Sequence, residues 1–201
     1  RRGWWSGASA GAGPRMEGCG GLGAGTLAAY SRADQVFRFY EINPMVEKLA
    51  RQYFTYLSAA PGKLDVVIGD GRLLLEQETE PPFHALVIDA FTGDAVPAHL
   101  LTREAMDIYL RRLRPDGALL IHISNRYLNL APVVRGLAAY GGLNAVRVDT
   151  VERTEDRLAT EWMILTNNPG LLAELAPAAT PVENRQILWT DESNDLFRIL
   201  R

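Results

Sequence analysis

Two hydrophobic rhythms alternate along the chain from residue 36 to residue 165. VFRFYE (36–41), LDVVIG (64–69), HALVID (84–89) and ALLIHIS (118–124) are short runs dense in β-branched, aromatic and other apolar side chains. They predict strands, the last three of the kind buried on both faces of a parallel sheet. After the first run, Asn43 is placed to cap a helix and Pro44 to occupy its first position. Val46, Leu49, Ala50, Tyr53, Phe54 and Leu57 then recur at helical spacing, which predicts one apolar helix face. Thr102 opens a second helix that runs to about Arg112, RPDG (114–117) reads as a turn, and a third helix falls near 130–140.

The rhythm changes near the end. LNAVRVDTV (143–151) and EWMIL (161–165) are consecutive strands with no helix between them, joined by VERTEDR (151–157), which reads as a solvated hairpin loop. Alternating β and α elements imply a doubly wound α/β sheet, and the final pair implies an antiparallel last strand.

The start of the chain fits this scheme poorly. GCGGLGAGTLAAY (18–30) is a glycine-rich loop running into a helix, and such loops follow a buried strand. The residues before it, PRMEG, hold one large apolar side chain, and EGCG would bury almost nothing as a strand. Residues 1–20 are rich in Gly, Ala and Ser without either period. They are expected to be flexible or non-native, as from a truncated or frame-shifted start, leaving residues 21–201 as the domain.

Composition narrows the class. With 201 residues, 47% of them hydrophobic, the chain suits one globular domain. A net charge of −3 argues against general binding to nucleic acid or anionic membrane. The lone Cys19 excludes an intrachain disulfide and a Cys-rich zinc site. No apolar run approaches the roughly 18 residues of a membrane span, and a cytoplasmic chain is expected.

In doubly wound sheets the ligand lies outside the carboxyl ends of the strands, so the residues that finish each strand carry the chemistry. Gly21, Gly23 and Gly25 allow close approach of backbone to ligand, ahead of a helix N-terminus that favours electron-rich groups. Glu41 ends its strand twenty positions after Gly21, where a carboxylate can accept from ribose hydroxyls; a helix-dipole role is the alternative. Asp70, between Gly69 and Gly71, could accept from an adenine amino group with Gly71 leaving room for the ring, or could be a turn aspartate. Asp89 and Asp94 would form an acidic pocket for a cationic amine, one carboxylate taking its proton, unless Asp89 caps a turn and Asp94 is only solvated. Taken as a set, these residues point to an adenosyl ligand. His84 and His122 read as structural; His99, in the acidic loop, could line the site, with a surface residue the favoured reading. No metal-ligand spacing, GxSxG elbow or P-loop lysine occurs.

GLGAGTLAAY, FRFYEINPMVEKLA, VVIGDGR, VIDAFTGDAVPAHLLTREAM, GALLIHISNRYLNLAPVV and WTDESNDLFRIL together resemble the spermidine synthase-like branch of class I S-adenosylmethionine-dependent transferases. They look closest to the bacterial domains often fused to membrane segments. The resemblance implies a Rossmann-like methyltransferase sheet of about seven strands that binds decarboxylated S-adenosylmethionine or S-adenosylmethionine as co-substrate, with no metal. It implies that Gly21, Gly23 and Gly25 contact the methionine-derived end, Glu41 the ribose, and Asp70 with Gly71 the adenine. Asp89 would be the general base and Asp94 the acid that fixes a diamine. The implied reaction moves an aminopropyl group to a small-molecule amine such as putrescine, and a homodimer is compatible with it.

The chain departs from the spermidine synthases at Ala24, where they carry an aspartate in the glycine loop. It departs again in the five-residue spacing of Asp89 and Asp94, where DSSDP gives three. A methyltransferase therefore stays open, as does a non-catalytic nucleoside-binding module. A dinucleotide oxidoreductase would rest on GxGxxG alone and leaves Asp70 and Asp89 unexplained.

Overall fold

The structure, a computed structural model, describes residues 14–90, 97–150 and 159–201. In chain order the elements are β1 (Arg15–Gly20), β2 (Gln35–Glu41), α1 (Pro44–Tyr53), β3 (Lys63–Ile68), α2 (Gly71–Gln77), β4 (Phe83–Ile88), α3 (Arg103–Arg112), β5 (Leu113–His122), α4 (Ala131–Tyr140), β6 (Asn144–Thr150), β7 (Thr160–Thr166), α5 (Pro169–Leu175) and the two-residue β8 (Ala179–Thr180). They build one mixed sheet in the order β3-β2-β1-β4-β5-β7-β6-β8. β1 to β5 pair in parallel, and β7 runs antiparallel between β5 and β6. This is the expected doubly wound α/β architecture, with β8 added at one edge. Helices α2, α3 and α4 bury their apolar residues in the main core on one face. Ala50 of α1 and Leu175 of α5 cover the other face. The predicted caps form: Asn43 Oδ1 accepts from the Met45 amide at 3.0 Å, and Thr102 Oγ1 from the Ala105 amide at 3.3 Å. The VERTEDR stretch lies outside the described residues.

The largest departure is at the start. Residues 15–20, expected outside the fold, instead form β1, the strand paired with both β2 and β4. Its backbone supplies the pairing and its neighbours supply the bulk. A Cβ at Gly18 would lie 2.8 Å from Leu86 Cδ1 and 3.2 Å from Phe83 Cε1, so those two side chains occupy the space that a valine would fill in an ordinary central strand. Gly18→Ala is therefore expected to overpack this seam and cost about 1–2 kcal/mol, read as a lower denaturant midpoint at unchanged m-value.

The opposite face of β1 carries Cys19 and the buried carboxyl of Glu17. Gln35 Nε2 donates to Glu17 Oε1 at 3.3 Å, and Arg15 Nε lies 3.7 Å from the same oxygen. Burial nevertheless pushes the Glu17 carboxyl up to about 7, against the pull of Arg15, the Ala85 backbone and Gln35. Glu78 goes the other way. Burial disfavours its charge, but hydrogen bonds from Tyr40 (2.6 Å) and Arg38 (2.7 Å), with backbone amides on the second oxygen, hold it at about 2.

Two smaller expectations are corrected. RPDG does not end a strand; it sits within β5, where the pairing jumps from Phe83↔Leu113 to Ala85↔Ala118 and the extra residues bulge out of register. The apolar stripe of α1 is only half used, with Ala50 buried but Leu49 and Tyr53 left 44% and 68% exposed. α1 lies over β2, one strand in from the β3 edge of the sheet, and only part of its stripe is covered. Among the described residues, no helix is long and apolar enough to cross a membrane.

Candidate active site

The carboxyl ends of β1, β2 and β4 are stitched together by backbone bonds. The Gly21 amide donates to Tyr40 O at 2.9 Å, and the Asp89 amide to Gly20 O at 2.8 Å. Above this floor opens a cleft of about 610 Å³, lined by Gly20, Gly21, Gly23, Glu41, Asp70, Gly71, Arg72, Asp89 and His99 together with Tyr40, Asn43 and Ala90. Its apolar wall consists of Ile42, Val46, Leu75, Ile88, Pro97, Leu100 and Tyr109. The size falls within the range of small-molecule sites, about 300–1,000 Å³.

Gly21 is fixed by geometry. Its φ is +106°, and a Cβ there would sit 2.2 Å from the carbonyl oxygen of Asp89, so only glycine lets the loop cross the end of β4. Gly23 also reaches the cleft, whereas Gly25 does not line it. Gly25 instead has φ +81° and packs its bare Cα against Leu57. The helix expected after the loop is a single 3₁₀ turn, Thr26–Tyr30, too short to supply much dipole to a ligand.

Glu41 is buried and takes an amide on each oxygen, from Leu22 to Oε2 at 3.0 Å and from Asn43 to Oε1 at 2.9 Å. It thereby ties the glycine loop to the start of α1. A carboxylate has about four acceptor sites, so it can still accept hydroxyls from the cleft. Asp70 Oδ1 caps α2, accepting from the Arg72 and Leu73 amides at 2.9 and 3.1 Å. Its Oδ2 stands 3.4 Å from His99 Nε2, which brings His99 into the site rather than leaving it a bystander on the surface.

Arg72 is the cation of the cleft, but Asp191 grips it through two bonds of 2.7 and 2.6 Å. That grip, with further help from Thr102, holds the Asp191 carboxyl down at about 2. The remaining field is set by Glu41, Asp70 and Asp89 and favours a cation.

Asp89 follows β4 and faces the cleft with its side chain 39% exposed. His122 Nδ1 lies 2.8 Å from its Oδ1, a partner that the reading of His122 as structural does not anticipate. The two residues are 33 positions apart and meet only because β4 and β5 are neighbours in the sheet. Asp94 lies outside the described residues. Among the described residues, no cluster of His, Cys, Asp or Glu could hold a metal ion.

A parallel half-sheet, a β7 inserted antiparallel between β5 and β6, and a cleft at the carboxyl ends together make the fold of class I S-adenosylmethionine-dependent transferases. Known proteins bear this out at the level of fold. The spermidine synthase of Thermotoga maritima superposes with a TM-score of 0.60 over 90% of this chain and 64% of its own, at 14% identity. Human methyltransferase-like protein 13, solved with S-adenosylhomocysteine, gives 0.57 over 89% and 86%, at 19% identity. In sequence, the protein of Mycolicibacterium vanbaalenii named "Putative O-methyltransferase" is 27% identical over 106 residues, 51% of this chain and 44% of its own. The chain thus spans less than half the length of that curated relative and under two thirds of the spermidine synthase. No family model matches the chain.

Proposed function

We propose that the protein is a sulfonium-dependent transferase that moves an aminopropyl group from decarboxylated S-adenosylmethionine to a small-molecule amine. The observation that carries this reading is the convergence of Glu41, Asp70 and Asp89 on one cleft whose cation, Arg72, is already neutralised. The cleft fits an adenosyl sulfonium: Gly21 and Gly23 put side-chain-free backbone at its edge, and the apolar wall offers a surface for a base. In this reading Glu41 holds the ribose, Asp70 and Gly71 face the adenine, and Gly21 and Gly23 face the sulfonium side chain. When bound, that group supplies a carbon bearing a good leaving group.

The protein's own task is alignment and proton removal. An alkylamine has a pKa of about 10, close to that of lysine, and attacks only as the free base. Asp89 attracts the ammonium, accepts its proton at the carboxylate, and leaves the nitrogen lone pair for the new N–C bond as the C–S bond breaks. Asp94 is proposed as the second acid for a diamine.

Ala24 and the curated relative favour a second reading, methyl transfer from intact S-adenosylmethionine. Incubating the protein with each donor and a panel of mono- and diamines separates the two. Methylthioadenosine formed with a diamine is the expected product; S-adenosylhomocysteine alone would replace the first reading with the second. A donor that binds but gives neither product would point to a binding module.

A further inference from the structure

Asp89 is not alone behind the cleft. Its Oδ1 lies 2.8 Å from His122 Nδ1, and His122 Nε2 lies 2.6 Å from Ser124 Oγ. Ser124 Oγ also accepts from the Glu161 amide on β7 at 2.7 Å. The imidazole is stacked on Trp162, with centroids 4.8 Å apart and planes at 25°. This chain of contacts assigns the proton. The Asp89 carboxylate can only accept, so Nδ1 carries the proton between them, and Ser124, which accepts from the Glu161 amide, still has its own hydroxyl hydrogen to give to Nε2. The Nδ1–H bond in turn points at Asp89 Oδ1. Among the described residues Asp89 Oδ2 carries no hydrogen bond, so one oxygen is anchored and the other is left for the cleft.

We infer that His122 is a positioning residue for Asp89, held in its Nδ1–H tautomer by Ser124 and in its plane by Trp162, so that Asp89 presents Oδ2 to the acceptor amine. This deepens the proposed transfer reaction and rests on it for its kinetic consequence. The arrangement itself is a property of the protein without any substrate. Physically, a carboxylate at a strand end can rotate about χ1 and χ2, and a charge-assisted bond to a ring locked on both sides removes that freedom. His122 touches no ligand in this scheme and exchanges no proton with one; it acts through Asp89.

Two measurements test the inference. In the full chain labelled with ¹⁵N-histidine, the His122 resonances, assigned by their loss in His122→Phe, should report the Nδ1–H tautomer, and Asp89→Ala should shift its Nδ1 signal. An Nε2–H tautomer, or a signal indifferent to Asp89, would overturn the assignment. Kinetically, His122→Phe keeps a ring on Trp162 but offers no donor, and kcat should fall about tenfold or more at unchanged donor KM. His122→Asn places an amide N–H near the lost Nδ1–H and should recover to within about threefold of wild type. Thermal unfolding of both variants checks that the fold is kept. A Phe variant as fast as wild type, or an Asn variant no better than Phe at equal stability, would refute the positioning role. If wild type forms neither product with any amine, the transfer reading falls, while the tautomer measurement still decides the assignment of His122.

Discussion

Asp89→Asn is expected to lower transfer to an amine by about two to four orders of magnitude, the usual worth of a positioned general base. The substitution is nearly isosteric, and the Asn carbonyl can still accept from His122 Nδ1, so the local geometry has a partner to keep. The change is confined to charge: an amide neither attracts an ammonium nor takes its proton. Both losses fall on the amine and neither on the nucleoside, which is held by Glu41, Asp70 and the glycine loop in the proposed pose. Calorimetric affinity for the sulfonium donor should therefore stay within a few-fold of wild type while kcat collapses, a split that distinguishes lost chemistry from lost folding. A variant that turns over at the wild-type rate would remove Asp89 from the mechanism.

The second large effect concerns stability. Glu17 has its carboxyl raised from 4.5 to about 7 by burial in β1. A raised acid binds a proton in the native state that the unfolded chain has already released. Its contribution is fully present below pH 4.5 and is lost progressively as pH climbs to about 7. Above that the native sheet must bury a charge. Glu17→Gln abolishes the titration and should leave the protein up to about 3 kcal/mol more stable than wild type at pH 8, with the gap closing toward pH 4.5. Glu78 has the opposite sign. Its lowered carboxyl contributes above 4.5 and loses that contribution as pH falls toward about 2. Paired denaturant titrations of wild type and Glu17→Gln across pH 4–8 isolate the Glu17 share, because Glu78 is common to both proteins. A constant difference across that range would contradict the burial argument.

The parts of the fold that can be read from sequence are those in which the signal is local. β2 to β7 announce themselves by apolar runs, and α1 and α3 by caps that need only their own next few residues. β1 is hidden because its stabilisation is not its own: Leu86 and Phe83 fill the space above Gly18, and nothing in RMEGCG reports them. α2 and α5 are seven residues each, too short for a helical period to stand out. The site divides in the same way. Glu41, Asp70 and Asp89 are legible as strand-end acids, because a parallel sheet gathers the carboxyl ends of its strands along one edge whatever the connections between them. Gly25 lies against Leu57 and outside the cleft lining, a difference from Gly21 and Gly23 that spacing alone does not report. The contact of His122 with Asp89 escapes the sequence because it depends on a neighbouring strand, whereas His99 is open to both readings there because a loop histidine has no period to decide between cleft and surface.

The placement of β1 also bears on how the molecule becomes competent. Thr150 pairs with Thr160 across a short connection, so the β6–β7 hairpin closes at little entropic expense. β1 and β4 must instead find each other over a separation of 68 positions, as the Met16 amide does in reaching His84. The seam that closes last by this measure is the one that forms the floor of the cleft, with Gly20 beside Ile88 and Gly21 against Asp89. A partly folded chain that has its hairpin and its helices but lacks this seam has no cleft to offer. Any ligand held there binds only the completed sheet, so it reinforces the longest-range strand pairing among the described residues by RT ln(1 + [L]/Kd), a gain that grows with ligand concentration.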